Sequence, residues 1–237
     1  MSSPSTAATV ELSKSPRAVA PAWHTGIVLL ALFGLSFVGA RTGNPGLSRY
    51  GRAGSYISVM AFEWIMVAFV WWGVSRQGIG MSDLVGGRWM RLREVFRDLG
   101  IALGFLFIGN ITLQGLAYVL RAQNPVLRNL LPRTHAEVIL WIVLSLTAGI
   151  CEEILFRGYL QRQFSALTHS VTGGILLQGL AFGGGHGYQG WKLMVAISVY
   201  GIIFGVLAQW RRSLRPGMMA HFLQDGVGGL LLRHVIR

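Results

Sequence analysis

The sequence is short of charge, and shortest of acid. Of 237 residues only 13% are charged, 52% are hydrophobic and nine are Asp or Glu. Soluble domains carry about 25% charged residues, so this chain lacks the polar surface that would cover a water-soluble core. Nothing is left over for a second, soluble domain. The single cysteine, Cys151, excludes an internal disulfide and carries no information on redox compartment. Repeats and low-complexity arrays are also missing. Bases, by contrast, are plentiful: 21 Lys and Arg give a net charge of +12. The arginines fall mainly between apolar segments, as topogenic charges and headgroup contacts do. No nucleic-acid partner is expected.

What remains is apolar, with a mean hydropathy of +0.51. A hydrocarbon core about 30 Å thick takes about 20 helical residues, and candidate spans lie near 25–40, 53–74, 99–120, 137–156 or beyond, 171–188, 193–208 and 217–232. The expected fold is therefore an all-α polytopic bundle of about seven transmembrane helices. Residues 1–22, rich in Ser, Ala, Thr and Pro, read as a flexible tail. Residues 25–40 resemble a signal-peptide core, but the long preceding tail and the membrane-embedded remainder favour a retained helix. The side holding the N-terminus collects twelve of the 21 bases, which places it in the cytoplasm by the positive-inside rule. Pairs such as Gly201 and Gly205, or Gly183 and Gly187, predict close helix approach.

With so few acids, their positions carry information. Glu63, Glu152, Glu153 and Asp225 lie inside apolar segments, where a charge costs at least ~2.5 kcal/mol on insertion scales. Glu152 and Glu153 end a 14-residue apolar run that begins at Val138. Glu153 and Arg157 are four apart in the favourable order for a helical ion pair. Glu152 points about 100° away and is left free, the arrangement of a prepared general base beside a neutralised acid. The plain structural reading is a pair of interfacial acids at a helix end.

Two later segments shift that balance. Phe182 and His186 share a helix face within a glycine-rich stretch, and His221 and Asp225 are likewise four apart. Polar residues spread over three spans but facing one interior form a site. Glu63 is expected to be buried against a polar neighbour, as an accessory to that site at most.

Together, Glu152-Glu153-x-x-x-Arg157, Phe182-x-x-x-His186 and His221-x-x-x-Asp225 resemble the three signature motifs of the CPBP family of intramembrane proteases. That family includes CAAX prenyl endopeptidases and bacteriocin-processing or self-immunity proteins. The resemblance spans about residues 80 to 230. It departs at Asp225, where the family usually has Asn. It implies a CAAX-protease-like domain over 81–237, preceded by N-terminal helices over 23–80. Glu152 would activate water; His186 and His221 would hold a divalent metal such as zinc, or bind the water and oxyanion; Asp225 would orient His221 or the water; Glu153, Arg157 and Phe182 would support. Both the metal and the metal-free mechanism stay open, since the His-Glu-x-x-His pattern is absent.

Other intramembrane chemistries fit less well. An aspartyl enzyme needs two membrane aspartates, and only Asp225 qualifies. A rhomboid-type enzyme needs a Gly-x-Ser-Gly turn, and none occurs. Beside two carboxylates the Cys151 thiolate is disfavoured. The expected activity is thus endopeptidase cleavage of a membrane-associated protein or peptide. The alternatives are a non-proteolytic scaffold or immunity protein, and a proton-relaying transporter, against which the missing repeat argues. Compact size and heavy Arg and Ala usage point to a bacterial inner membrane. One geometric demand follows: if the fourth span ended at Glu152, His186 would lie toward the opposite face. The fourth helix must therefore run on to about Gln163, and the glycine-rich stretch must break its helix at depth, where irregular backbone is allowed beside a cavity.

Overall fold

In the computed structural model, residues 17–44, 46 and 51–235 are described, and all regular structure among them is helical. The elements are α1 (Ala22–Thr42), α2 (Gly51–Ser75), α3 (Met81–Val85), α4 (Leu92–Val119), α5 (Pro125–Leu130), α6 (His135–Glu152), a π-helix (Glu153–Leu160), α7 (Gln161–Leu167), α8 (Val171–Gly185), a 3-10 turn (Gly187–Gln189), α9 (Trp191–Arg211) and α10 (Arg215–Val235).

Each of the seven expected spans is a helix. By length and composition five are long and apolar enough to cross a membrane: α1, α2, α4, α9 and the continuous helix His135–Leu167. The other two differ. With 15 residues α8 is short, and α10, though 21 residues long, is much less apolar. Large side chains such as Leu30, Ile65, Phe107 and Ile108 are more than 60% exposed on the long helices. A soluble protein does not leave this much apolar surface bare; hydrocarbon is its solvent here.

The centre of the bundle is the helix His135–Leu167, started by a capping box in which Thr134 accepts from the Glu137 N–H and Glu137 accepts from the Thr134 N–H. Its 33 residues would span about 50 Å, well beyond a 30 Å core. Glu152, the last residue of α6, is therefore near its middle. The π-helix that follows is buried at all eight positions, as expected of a segment surrounded by other helices. Wide turns of this kind are rare and recur at functional sites.

Around this axis α2 and α10 pack on α6, and α7 packs on α8. The α8 and α9 pair packs through glycine: a Cβ on Gly179 would meet Ile202 N at 2.9 Å and Ser198 O at 3.0 Å, and one on Gly201 would meet Phe182. Gly179→Val is expected to lower stability by about 1–3 kcal/mol, as overpacking does, measured by thermal unfolding in detergent.

The N-terminal helix is anchored by buried polar contacts. His24 Nδ1 and the Thr25 hydroxyl meet the Tyr159 hydroxyl at 2.7 and 2.9 Å, and the His24 ring stacks on Phe69. Just before α1, the Gln163 amide accepts from the N–H of Val19 and Ala20 and donates to the Ala20 carbonyl. Val19 and Ala20 are buried. Val19 and Ala20, which fall within the tail expected over 1–22, are thus packed in place; residues 1–16 lie outside the described residues.

Candidate active site

The three polar motifs converge at the junction of α6 and the π-helix. Glu153 and Arg157, one turn apart, form a fully buried ion pair, Nη1 to Oε1 at 2.8 Å. Arg157 also donates from Nη2 to the Gly201 carbonyl at 3.3 Å. Its guanidinium lies 4.4 Å from the Phe182 ring centroid and 4.7 Å from that of Phe204. Cation–π contact between two desolvated rings stabilises a charge that has only one acid partner. Phe182 of the second motif thus makes two contacts that matter to the site. Its ring holds Arg157, and its carbonyl accepts from His186 Nδ1 at 2.8 Å.

His221 is held from the other side. Its Nδ1 donates to Glu153 Oε1 at 3.2 Å, while its Nε2 faces Glu152 Oε2 at 3.6 Å and Asp225 Oδ2 at 3.5 Å. Glu153 thus serves two partners with one oxygen and fixes the imidazole so that Nε2 points at the free carboxylate. Close approach of α10 is permitted by Gly217, where a Cβ would stand 2.8 Å from Glu153 Oε2, and by Gly149, where one would stand 2.9 Å from Met218 O. The ring of His221 also meets Phe182 at 6.0 Å and Phe204 at 5.5 Å between centroids.

His186 caps the C-terminus of α8, where the chain leaves the helix for a single 3-10 turn before α9. This break brings it to Glu152, since both line one cavity with Glu63, Tyr188, Cys151 and Ser36. The cavity has a volume of about 80 Å³. Most of its wall is apolar, with Leu32, Leu35 and Phe62 on the side of α1 and α2. Because His186 Nδ1 is engaged by Phe182, its Nε2 is the free nitrogen. Glu152 Oε2 is buried without a hydrogen-bond donor, as a group kept for a transient partner would be. Asp225, whose side chain is 41% exposed, is the least enclosed member.

Tyr188 went unassigned in the sequence, and Glu63 was expected as an accessory at most. Glu63 is buried, its Oε2 has no hydrogen-bond partner, and it lines the cavity with Glu152. Tyr188 also lines it, its ring 6.0 Å from that of His186. For Glu63 the signal was an acid in an apolar span, whereas Tyr188 had none. Glu63→Met is expected to stabilise the fold by about 1–3 kcal/mol, because it removes a buried unsatisfied group and keeps the shape. A lower unfolding midpoint would instead reveal a structural partner.

Among the described residues no three His, Cys, Asp or Glu side chains are arranged to hold a metal ion. Both nitrogens of His221 face carboxylates.

No curated protein and no solved structure matches the chain. A family model does, over residues 134–227, and that stretch contains Glu152, Glu153, Arg157, Phe182, His186, His221 and Asp225. Over this segment the chain is similar to the family described as Rce1-like, type II CAAX prenyl endopeptidase Rce1-like.

Proposed function

We propose that the protein is an intramembrane endopeptidase in which Glu152 activates the hydrolytic water. The observation that carries this reading is the free Glu152 carboxylate, facing His221 Nε2 and sharing one cavity with His186. Similarity of residues 134–227 to the Rce1-like family supports a CAAX-type protease at the coarser level. Water in the cavity gives a proton to Glu152 as its oxygen attacks the scissile carbonyl carbon. Negative charge then moves to the carbonyl oxygen, where N–H or O–H donors stabilise it. His186 in its cationic form, donating from Nε2, is one such donor, and the Tyr188 hydroxyl is another. Glu152 returns its proton to the amide nitrogen as the C–N bond breaks, giving an acid and an amine. His221, held by Glu153 and flanked by Asp225, positions Glu152 and the water.

If a metal is recruited, zinc with His186 and His221 is the expected case, and metal content of the purified active protein decides it. The substrate class is a membrane-associated protein or peptide, admitted along the apolar wall formed by α1 and α2. An inner-membrane location with a cytoplasmic N-terminus belongs to the same proposal.

The test is genetic and chemical. In a deletion strain, Glu152→Gln and His221→Ala should each fail to remove an uncleaved precursor that the wild-type gene removes, as read in membrane proteomes. Full complementation by both variants would assign the physiological role to scaffolding or immunity instead.

A further inference from the structure

Away from the cavity, the rim formed by the start of α4, the end of α9 and the start of α10 holds an unusual concentration of arginine. Residues 86–100 and 211–215 contain seven arginines and two acids. The two stretches are joined: Leu214 N–H donates to the Val85 carbonyl at 2.9 Å, and Gly86 packs on the backbone of Arg212 and Ser213.

At the centre is Asp98, fully buried. Arg97 binds its Oδ1 through Nε and Nη2 at 3.1 and 3.0 Å, and the Trp89 indole N–H donates to Oδ2 at 2.9 Å. Arg211 and Arg215 face the same carboxylate only at 3.5 and 3.6 Å, too far for good hydrogen bonds. Their side chains are 21% and 12% exposed, and Arg211 Nε and Arg215 Nη1 are buried with no acceptor. Arg215 Nε also donates to Ser213 Oγ at 3.0 Å; three guanidinium groups thus share one carboxylate, leaving two positive charges and two buried donors unmatched in a partly desolvated place. A fold that needed only a lock would match its acid with one arginine. The unmatched donors call for a second anion with several oxygens, the geometry that arginine forks recognise in phosphate.

Its surroundings say what carries that phosphate. The cluster lies at the ends of two spans, α4 and α9, with Met90, Leu92 and Phe96 about 70–80% exposed beside it. Trp89 and Trp210, each under an arginine, are exposed as interfacial tryptophans are. A soluble phosphate compound would have no use for this apolar border; an acyl chain would.

We propose that the Asp98 cluster binds the phosphate of an anionic phospholipid headgroup, with its acyl chains along α4. The site is independent of the protease reading. Because α10 carries both Arg215 and His221, the bound headgroup tethers the start of the helix that holds the active-site imidazole.

The experiment uses the purified full-length protein in neutral detergent, titrated with phosphatidylglycerol or phosphatidylcholine, and reads bound lipid by native mass spectrometry and the unfolding midpoint. Phosphatidylglycerol should be retained in preference and should raise the midpoint, with the preference weakening as salt rises. Arg97→Gln combined with Arg211→Gln should weaken binding about thirtyfold, while Arg41→Gln, at the far end of α1, should not. Arg93→Gln with Arg97→Gln, both exposed, gives a second test that leaves the buried arginines in place and should weaken binding in the same direction. Equal retention of the two lipids, or a preference that survives both double variants, overturns the proposal. Equally strong binding of glycerol phosphate overturns the lipid assignment in favour of a free phosphate.

Discussion

Glu152→Gln is expected to slow peptide hydrolysis by about a hundred- to ten-thousandfold, the range lost when a positioned general base is removed. The substitution changes little else. Its Oε2 accepts no hydrogen bond, and the ion pair that holds the junction together belongs to Glu153 and Arg157. The unfolding midpoint should therefore stay near that of the wild type. The measurement is an initial rate for purified protein on a membrane-anchored peptide that the wild type cleaves, alongside thermal unfolding of the same preparation. Wild-type turnover by Glu152→Gln would remove Glu152 from the mechanism. A lost fold would show that the carboxylate is structural.

Arg157→Met has the opposite profile, a large effect on the fold. Arg157 is 2% exposed, bonded to Glu153 and to the Gly201 carbonyl, and enclosed by Phe182 and Phe204. Its removal leaves the Glu153 carboxylate buried without a permanent cation, and breaking a buried pair from one side costs about 3–5 kcal/mol. Restoring neutrality with Glu153→Gln in the same chain should recover most of that loss, since no lone charge then remains. Denaturant or thermal unfolding in detergent reads both. A cost below about 1 kcal/mol for Arg157→Met would mean that the charge is solvated by something other than Glu153. The double variant should still be a poor enzyme, because Glu153 also fixes His221 Nδ1.

The two outcomes separate roles that adjacent residues hide. Glu152 and Glu153 are chemically identical and differ only in direction from the helix. One meets a cation and a histidine in the protein interior; the other opens onto the cavity.

Much of the architecture was legible in advance, for a reason particular to membranes. A bilayer forces each span to be about 20 apolar residues with its backbone bonds satisfied internally, so helix number follows from hydropathy with little help from packing. Scarcity of acid worked the same way, since a carboxylate in an apolar run is costly and its position therefore informative. The α10 helix shows the limit: it carries Arg215, His221, Gln224, Asp225, Arg233 and His234, and hydropathy alone ranks it below the other long helices.

Polarity, spacing and order in the sequence by themselves determined the helical class, the candidate residues of the three motifs and the Glu153 to Arg157 pair, because each depends on local composition or on one helical turn. Tertiary structure decided the rest. Only packing of α2 and α8 against the π-helix brings Glu63 and Tyr188 to the cavity of Glu152, and only the approach of α10 over Gly149 and Gly217 turns His221 Nδ1 onto Glu153. Asp98 gathers Arg211 and Arg215 across more than a hundred residues. These contacts join segments far apart in the chain, and no residue's own spacing encodes which distant side chain will meet it.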